Sequence, residues 1–484
     1  MESTGVIRQA AWVIAWDEAS DRHVYLRDAD VAFSGEGLLQ VGGSYEGPVD
    51  EEIDGRDLMV MPGLVNIHSH PTSEPMNKGI TDEIRSPNFH HSSLYEFLPV
   101  LGPDAEGTRA CLNVALAELL RSGCTTVVDY SRPIDGWLDL LGQSGIRACV
   151  APSFRSAPWS TIDGHSLSYD WSLAAEGKEG LEEAKDLIDA ARDHPSDRLS
   201  GIMSPAQIDT CSEDLLVSAH NYASERGVAF QIHASQSVAE FHEMVKRHGC
   251  TPIQWLDRIG VLTDRTIVAH AIFLDHHSWL HWPSDDDLDL LARRDTTVAH
   301  CPTVFLRRGI ALQTLGRYRR HGINVGIGTD TYPHNILEEL FNAGTVARVE
   351  AGRVDDVTTA DLLDMATVGG ARALGRDDIG RLTPGCRADL VLVDLTTPTM
   401  RPMREPLRTL IYCARERAVR DVYVGGQLVV RDGECLTIDL DAQLDLLQEA
   451  QARGMARVPE LDWAGRSADE LAPLALDVVA GDPA

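Results

Sequence analysis

The chain has 484 residues, 43% of them hydrophobic, and a formal net charge of −31 at pH 7. A charge of this sign and size argues against nucleic acid and anionic membrane surfaces as partners. No apolar run reaches the roughly twenty residues of a membrane-spanning helix, and the first residues lack the basic and apolar regions of a signal peptide. The cysteines number nine and include no CxxC pair, which predicts reduced thiols and a cytoplasmic protein.

The two ends of the chain share a rhythm of short strand-like runs separated by turns. Residues 6–61 alternate such runs with glycine-rich turns. The same pattern returns after residue 385, where Gly425-Gly426 between apolar runs is typical of a hairpin. Because the N-terminal part is too short to close its own core, we predict that residues 1–61 and 385–435 fold together into a small β-sandwich domain.

Between the two ends, apolar strand-like runs alternate with amphipathic helical segments, as in an α/β fold. One such segment begins after Ser212 and ends at Gly227, which are typical helix boundaries. The runs lie near residues 64–68, 125–130, 147–154, 199–204, 228–233, 266–270, 297–300 and 324–330. Their number is that of a (β/α)8 barrel. We therefore predict a barrel over residues 62–384, followed by a C-terminal helical extension over residues 436–484.

Histidine or aspartate closes five of these runs, at the strand ends where a parallel barrel carries its chemistry. One buried histidine is usually structural, but a recurring set needs a common partner, because buried polar groups must be satisfied. The residues are His68 and His70 after the first run, His233, His270 and His300 after the fifth, sixth and seventh, and Asp330 after the eighth. The sequence therefore predicts a metal site.

The segment Pro62-Gly63-Leu64-Val65-Asn66-Ile67-His68-Ser69-His70, together with the later histidines and aspartate, resembles the amidohydrolase superfamily of metal-dependent hydrolases. Residues 385–394 resemble that family's return to its sandwich domain. The resemblance covers about residues 6–435 and implies a distorted TIM barrel that carries a β-sandwich. Position by position, it implies that His68, His70, His233 and Asp330 bind the metal and that His270 is the catalytic histidine.

In the binuclear branch of this family, a carboxylated lysine at strand four bridges two metal ions. The fourth run has no lysine near its end, and the lysines of the chain are Lys78, Lys178, Lys185 and Lys246. We therefore expect one divalent ion per chain, zinc first, although three imidazoles and a carboxylate also accept iron, cobalt or manganese.

Such a site leaves a position for water, and a bound divalent ion makes that water acidic enough to give hydroxide near neutral pH. Asp330 can accept the proton of the water, and His270 can orient the water and stabilise the developing oxyanion. The leaving amine must then receive a proton. Ring aminohydrolases of the family carry HxxE after strand five, whereas this chain has His233-Ala234-Ser235-Gln236. Glutamine is neither an acid nor a base near neutral pH.

This departure favours an acyclic substrate, whose cleavage needs no ring-nitrogen protonation. With residues 70–76 and 328–335, it resembles the branch of the family that contains molinate hydrolase and the phenylurea hydrolases. The resemblance implies hydrolysis of a small, fairly apolar urea, carbamate, thiocarbamate or amide, with release of an amine. The alternative is an aminohydrolase (deaminase or dechlorinase-like) of a nitrogen heterocycle. A non-catalytic scaffold is remote, because every expected ligand position is filled.

Four further residues are candidates for substrate contact, namely Gln236, His300, Tyr332 and Arg155. Three of them also have a structural interpretation: a held turn for His300, helix capping near Tyr332 and an ion pair at the mouth for Arg155. The long connection 71–107 carries aromatic residues and could be a lid or a subunit contact. We expect a small-molecule substrate and a homo-oligomer.

Overall fold

The computed structural model describes residues 3–478. Strands from both ends of the chain form one nine-stranded sheet. Its strands are β1 (Thr4–Asp17), β2 (Arg22–Ser34), β3 (Gly37–Val41), β4 (Glu51–Asp54), β5 (Leu58–Pro62), β18 (Leu390–Asp394), β19 (Val419–Val424), β20 (Gln427–Arg431) and β21 (Glu434–Cys435). Their order is β21-β20-β19-β18-β5-β1-β2-β3, with β4 beside β1.

The pairing of β18 with β5 joins the two ends of the chain. The two strands run antiparallel, in a register that starts with Leu390 opposite Pro62. Phe33 of β2 and Tyr423 of β19 lie far apart in the strand order, yet their ring centroids are 5.4 Å apart. The sheet therefore curls around an apolar core that both ends of the chain supply.

The middle of the chain contributes two parallel four-stranded sheets. The first contains β6 (Leu64–Ser69), β7 (Cys124–Asp129), β8 (Arg147–Val150) and β12 (Leu199–Gly201). The second contains β14 (Phe230–Ala234), β15 (Thr266–His270), β16 (Thr297–His300) and β17 (Asn324–Ile327). Single parallel bridges, Met203–Phe230 and Ser69–Asp330, link the two sheets. The expected α/β architecture is therefore present, with the predicted eight runs in parallel.

Two of the predicted runs are interrupted. Residues 147–154 divide into β8 and β9 (Ser153–Phe154), with Pro152, which has no N–H to donate, before β9. Residues 199–204 divide into β12 and β13 (Ser204–Pro205), which pairs with β9. At this break the chain changes partners, because Ile202 donates to Val150 whereas Met203 donates to Ala229. The remaining strands, β10 (Trp159–Ser160) and β11 (Ser168–Tyr169), form a small hairpin.

Helices cover the outer side of the strands. The helix predicted between Ser212 and Gly227 is present with these boundaries. Ser212 accepts a hydrogen bond from Leu215 N–H at 3.3 Å, and the helix it caps ends at Gly227 with φ +69°. The α-helices are α1 (Ala105–Arg121), α2 (Trp137–Ser144), α3 (Ala174–Arg192), α4 (Glu213–Arg226), α5 (Val238–His248), α6 (Pro252–Arg258), α7 (Asp287–Arg293), α8 (Pro302–Leu306), α9 (Leu315–Arg320), α10 (Ile336–Ala351), α11 (Thr359–Met365), α12 (Val368–Ala373), α13 (Pro406–Thr409), α14 (Leu440–Leu461) and α15 (Ala468–Leu471). Among residues 3–478, no helix combines the length and apolarity that crossing a membrane requires.

The C-terminal helices cover the long connection 71–107. The side chain of Gln451 in α14 donates to the carbonyl groups of Met76 at 2.6 Å and Lys78 at 3.0 Å. Arg466 pairs with Glu96 of the connection at 2.7 Å. Short 3-10 turns, Glu74–Asn77 and Pro87–Phe89, give the connection its local structure. It is therefore packed against its own chain, and whether it also serves as a lid or a subunit contact stays a prediction.

Candidate metal centre

Ligating atoms from three strand ends meet at one point. The Nε2 atom of His70 lies 3.3 Å from Nε2 of His233 and 3.2 Å from Oδ1 of Asp330. His68 Nε2 lies 3.2 Å from the same Asp330 oxygen. Ligand atoms about 2.0–2.1 Å from a tetrahedral zinc ion are separated by roughly 3.3–3.4 Å. The three distances therefore suit one shared ion.

His270 borders the same point. One ligand atom from each of His68, His233, His270 and Asp330 falls within 4.8 Å of the others, and all four residues are buried. The structure thus brings together every residue that the sequence placed at the metal or in the catalytic role. Both His70 and His270 lie beside His68, His233 and Asp330, so either could be the fourth ligand.

The rings of three histidines are oriented by a hydrogen bond at Nδ1. The oxygen atoms that accept these bonds are Gln231 Oε1 for His68 at 3.1 Å, the carbonyl of Tyr130 for His70 at 2.6 Å and the carbonyl of Ala206 for His233 at 2.6 Å. Because a carbonyl oxygen only accepts, Nδ1 carries the proton and Nε2 keeps its lone pair. This is the outer-shell arrangement that metal-binding histidines use.

The His68 ring provides a direct test of whether an ion fits here. Its Nε2 atom is fully buried, lies 3.2 Å from the Asp330 carboxylate oxygen, and receives no hydrogen bond within the described part of the chain. Leaving a buried nitrogen without a partner costs free energy. A divalent ion among the imidazoles and the carboxylate would satisfy this lone pair, so the residues fit a metal ion.

The electrostatics of the site set the protonation states that a metal ion needs. Burial, reinforced by the neighbouring His68 and His70, lowers the pKa of His233 well below its ordinary value. Burial also lowers the pKa of His270 to about 3. Burial alone would raise the pKa of Asp330, but His270, His68 and His70 bring it well below its usual range. At neutral pH, His233 and His270 are therefore neutral and Asp330 is ionised. Burial alone would lower the pKa of His70, but the hydrogen bond and the charge of Asp330 raise it above its ordinary value.

The backbone is strained at three positions around the site. Ser235, His270 and Asp330 have φ values of 55°, 82° and 57°, in the left-handed region that favours glycine. Each such residue costs on the order of 1–3 kcal/mol and persists only where the surroundings impose it. The strain turns the chain sharply after β14, β15 and β17, where these side chains enter the site.

Gln236 follows β14 and is held in place by Glu240. The buried Glu240 carboxylate accepts from Ser235 N–H at 2.5 Å and from Gln236 N–H at 3.3 Å. Ser237 in turn accepts from Glu240 N–H at 3.0 Å and caps α5. Gln236 is buried, and its Nε2 atom has no hydrogen-bond acceptor among residues 3–478. The amide therefore has a donor free for a ligand.

The other three candidate substrate contacts differ in whether their side chains already have a bonding partner within the protein. His300 is buried and lacks a partner for Nε2 within the described residues. The Tyr332 hydroxyl is already bonded to Thr81 Oγ1 at 2.7 Å, which ties it to the long connection. Arg155 stacks over Trp159 at 5.4 Å and makes no ion pair in the described chain. None of the ion pairs among residues 3–478 supports its structural interpretation, and its contact with substrate stays a prediction.

Two charged residues near the site were not anticipated. Glu74 follows His70 closely, is 7% exposed, and accepts from Asn77 Nδ2 at 3.4 Å. Burial raises the pKa of Glu74, and its carboxylate interacts electrostatically with His70, Asp330 and Arg308. Arg308 lies after α8 and donates to Ser93 Oγ at 2.7 Å. Glu74 could have been considered from the sequence, because it lies four residues after His70. No local pattern predicts that Arg308 lies near the site.

No lysine of residues 3–478 reaches the end of the fourth strand. Lys78 pairs with Glu118, Lys185 with Glu182 and Lys246 with Glu243. Lys178 lies in α3. A single ion at the strand ends remains the expectation.

Comparison with known proteins places the chain among enzymes. A 5'-deoxyadenosine deaminase from Methanothermobacter thermautotrophicus is 29% identical over 84% of this chain and 90% of its own length. A 5-methylthioadenosine/S-adenosylhomocysteine deaminase from Nitratidesulfovibrio vulgaris is 29% identical over 93% of this chain and 98% of its own. The crystal structure of an adenosine deaminase from Xanthomonas campestris with bound zinc has a TM-score of 0.78 and 25% identity, covering 94% of this chain and 99% of that one.

The sequence profile of the Amidohydrolase family matches residues 59–429, which include all the strand ends described above. The match spans most of the chain, and it agrees with the resemblance that the histidine and aspartate pattern carries. The chain therefore belongs to the amidohydrolase family.

Proposed function

We propose that the protein is a metal-dependent aminohydrolase that removes an amino group from a nitrogen heterocycle. Its family makes it a metal-dependent hydrolase of carbon–nitrogen bonds other than peptide bonds. The observation that carries the finer proposal is the similarity, over 84% and 93% of this chain, to two deaminases of adenosine derivatives. These relatives favour the ring substrate over the acyclic urea or carbamate that Gln236 suggested, and they give the urea interpretation no support.

The proposed ligands are His68, His70 and His233 through Nε2, and Asp330 through Oδ1. This choice rests on the 3.2–3.3 Å separations and on the hydrogen bonds that fix Nδ1 of each ring. His270 lacks such a bond at Nδ1, so we assign it to the reaction rather than to the metal. A bound divalent ion would supply the acidity that makes water a nucleophile near neutral pH.

The residues of the chain have separate tasks in the proposed reaction. Asp330, ionised at neutral pH, accepts the proton of the attacking water at a carboxylate oxygen. His270 hydrogen-bonds the water and then the hydroxyl group that the water leaves on the attacked carbon. Gln236 donates its free Nε2–H to a ring atom of the substrate and orients the ring. The electron pair of the attacked carbon–nitrogen double bond moves to the ring nitrogen. It returns to the carbon as the exocyclic C–N bond breaks, and the amine leaves as ammonia with the proton that Asp330 took from the water.

The architecture also supports a finer proposal. We infer that the two parallel sheets close into a distorted (β/α)8 barrel over residues 62–384, because parallel bridges link them at both Met203–Phe230 and Ser69–Asp330. The sandwich would comprise residues 1–61 and 385–435, and the extension residues 436–484, of which residues 1, 2 and 479–484 lie outside the described range. A homo-oligomer remains a proposal, which sedimentation analysis would test.

A product assay tests the function. The zinc-loaded protein is incubated with 5'-deoxyadenosine, 5'-methylthioadenosine and aminotriazines in one set, and with phenylureas and thiocarbamates in another. We expect free ammonia from a member of the first set and no organic amine from the second. The Asp330→Ala variant is the control and should give neither product.

A second candidate, an acyclic urea or carbamate hydrolase, is favoured by one observation. Gln236 stands where ring aminohydrolases of the family carry an acidic residue, and an amide cannot protonate a ring nitrogen. Release of an organic amine from a urea, with no ammonia from any heterocycle, would establish this candidate and overturn the ring aminohydrolase.

A further inference from the structure

A second set of metal-ligating side chains lies between β15 and α7. Asp275 is 1% exposed. Its Oδ2 atom accepts from Ser284 Oγ at 2.8 Å and from Asp286 N–H at 2.6 Å. Its other oxygen, Oδ1, is buried and has no donor among residues 3–478. One face of this carboxylate is therefore saturated, and the opposite face is left without a partner.

His276, the next residue, has a second buried acceptor without a partner. Its Nε2 atom is 2.7 Å from the carbonyl oxygen of Gln313. Because a carbonyl oxygen only accepts, Nε2 carries the ring proton and Nδ1 keeps a lone pair. Nδ1 is buried and has no partner within the part of the chain that the structure describes. Two buried acceptors, one oxygen and one nitrogen, thus lack a donor in the same region.

Asp285 supplies the third group. One ligand atom each from Asp275, His276 and Asp285 falls within 4.8 Å of the other two. Asp275 Oδ1 and His276 Nδ1 are costly to leave buried without a donor, and a positive ion held with the exposed Asp285 would satisfy both. The bond from His276 to Gln313 also matches the outer-shell contact that fixes the ring of a metal-binding histidine.

We propose that Asp275, His276 and Asp285 bind a divalent cation at a second site, separate from the strand-end centre. One imidazole and two carboxylates suit zinc or a similar borderline ion such as cobalt or manganese, with water in the remaining position. This inference does not depend on which substrate the protein hydrolyses.

The second site borders the protein surface on its His276 side. A surface cavity of about 550 Å³ reaches His276 and is also lined by arginines. Two of these arginines are neutralised, because Arg317 pairs with Asp285 at 2.9 Å and Arg320 pairs with Asp356 at 3.1 Å. Arg317 Nη2 contacts both oxygens of Asp285, at 2.9 and 3.2 Å, so an ion bound by Asp285 would replace the longer of these two contacts.

An ion here would join the segment that leaves β15, directly after His270, to the start of α7. The role is therefore structural: it fixes the connection without touching the reacting atoms. Loss of the ion should lower the thermal unfolding temperature by a few degrees, on the order of 2–4 °C, and leave the catalytic rate per strand-end ion unchanged.

Metal stoichiometry in paired variants tests the second site. Purified full-length proteins are dialysed against buffered zinc, and bound zinc is measured by mass spectrometry. We expect two ions per chain in the wild type, one in His276→Gln, one in Asp330→Ala and none in the double variant. Asp285→Asn, at an exposed side chain, serves as a second route if His276→Gln does not fold, and it should also bind one.

The matched control is His277→Gln. His277 is the neighbouring buried histidine, but both its nitrogens are used, with Nε2 bonded to the carbonyl of Ala311 at 3.3 Å and Nδ1 accepting from Trp279 N–H at 3.2 Å. This variant should keep two ions. Wild-type protein with a single zinc that Asp330→Ala removes, or two ions retained in both His276→Gln and Asp285→Asn, would overturn the proposal. A single zinc that only His276→Gln removes would instead support the second site and contradict the strand-end centre.

Discussion

At the scale of single residues, the strand-end centre depends on side chains that do not touch the metal position. The rings of His68, His70 and His233 are each held by an oxygen acceptor at Nδ1. Two of these acceptors are backbone carbonyls, which substitution cannot remove. The third is the side chain of Gln231, which is buried and also donates to the carbonyl of Ile67 at 2.8 Å. Gln231 is thus the outer-shell contact that mutagenesis can reach.

Replacing Gln231 with leucine should weaken metal binding. The change removes the acceptor for His68 Nδ1–H and frees the ring to rotate, and loss of such contacts typically costs about 10–100-fold in metal affinity. Competition with a chromophoric chelator gives the dissociation constant at the strand-end site. Unchanged affinity in a folded Gln231→Leu protein would show that His68 is not a ligand.

Replacing Gln236 with alanine should leave measurable turnover. The amide only orients the substrate in the proposed reaction, so we expect KM to rise by about 10-fold, one hydrogen bond of roughly 1.4 kcal/mol, with little change in kcat. Zinc content is measured in parallel and should match the wild type. Complete loss of turnover with zinc retained would mean that Gln236 acts in the chemistry itself.

The sequence predicts the strand-end residues of the site better than the neighbouring residues that contact them. His68, His70, His233, His270 and Asp330 could be found because each closes an apolar run, and a run that ends on a polar side chain is visible along the chain. Gln231 lies inside β14 and looks like an ordinary strand residue. Glu74 and Arg308 approach the site from connections whose path depends on packing, so no local pattern identifies them.

At the scale of secondary structure, the turn after β14 depends on one buried acid. Glu240 accepts from Ser235 and Gln236 and at the same time forms part of the capped first turn of α5. The strained φ of Ser235 is therefore maintained from inside the following helix. This contact connects the geometry of the site to the position of α5.

Replacing Glu240 with alanine should destabilise the protein by about 2–4 kcal/mol, because two buried N–H groups lose their acceptor. Urea unfolding measures the change in the free energy of unfolding. Glu240→Gln, which keeps one acceptor oxygen, is the conservative control and should lose less. Equal stability of Glu240→Ala and the wild type would show that the turn holds without this contact.

The strand predictions succeeded where a run pairs with the same neighbours throughout. The predicted ranges 266–270 and 297–300 match β15 and β16. The ranges 147–154 and 199–204 were predicted as single strands and are interrupted, because the chain changes hydrogen-bond partners at Ile202 and Met203. Such a change of partner depends on the positions of the neighbouring strands, which the sequence of a single run does not predict.

At the scale of the whole molecule, the curled sheet and the parallel strands are joined by a buried ion pair. Arg147 in β8 and Asp389 beside β18 are each 2% exposed, with Arg147 Nη2 at 3.1 Å from Asp389 Oδ1. Both ends of the chain therefore depend on the middle for partners. The C-terminal helices add a further contact by covering the connection 71–107.

Stability should fall in mild acid, partly through His300. Burial lowers the pKa of His300 to about 4, so below pH 6.5 the unfolded chain binds a proton that the folded chain does not. Stability from this residue is complete above pH 6.5 and is lost as the pH falls towards 4, by about 2 kcal/mol at pH 5. Acids with a raised pKa, such as Glu339 at about 8, act in the opposite direction, so the comparison must be made between variants.

Urea unfolding of zinc-loaded wild type and His300→Gln at pH 7 and pH 5 isolates the effect of His300. The wild type should lose about 2 kcal/mol more than the variant over this interval. Identical losses in the two proteins would show that His300 is not held neutral in the folded state.

The central claim is that side chains from separate strand ends bind one divalent ion. Anomalous diffraction at the zinc edge, from crystals of the purified protein, tests it most directly. We expect a peak about 2.0–2.2 Å from Nε2 of His68, His70 and His233 and from an oxygen of Asp330, with His270 farther away. Absence of a peak among these residues in zinc-loaded crystals would contradict the account.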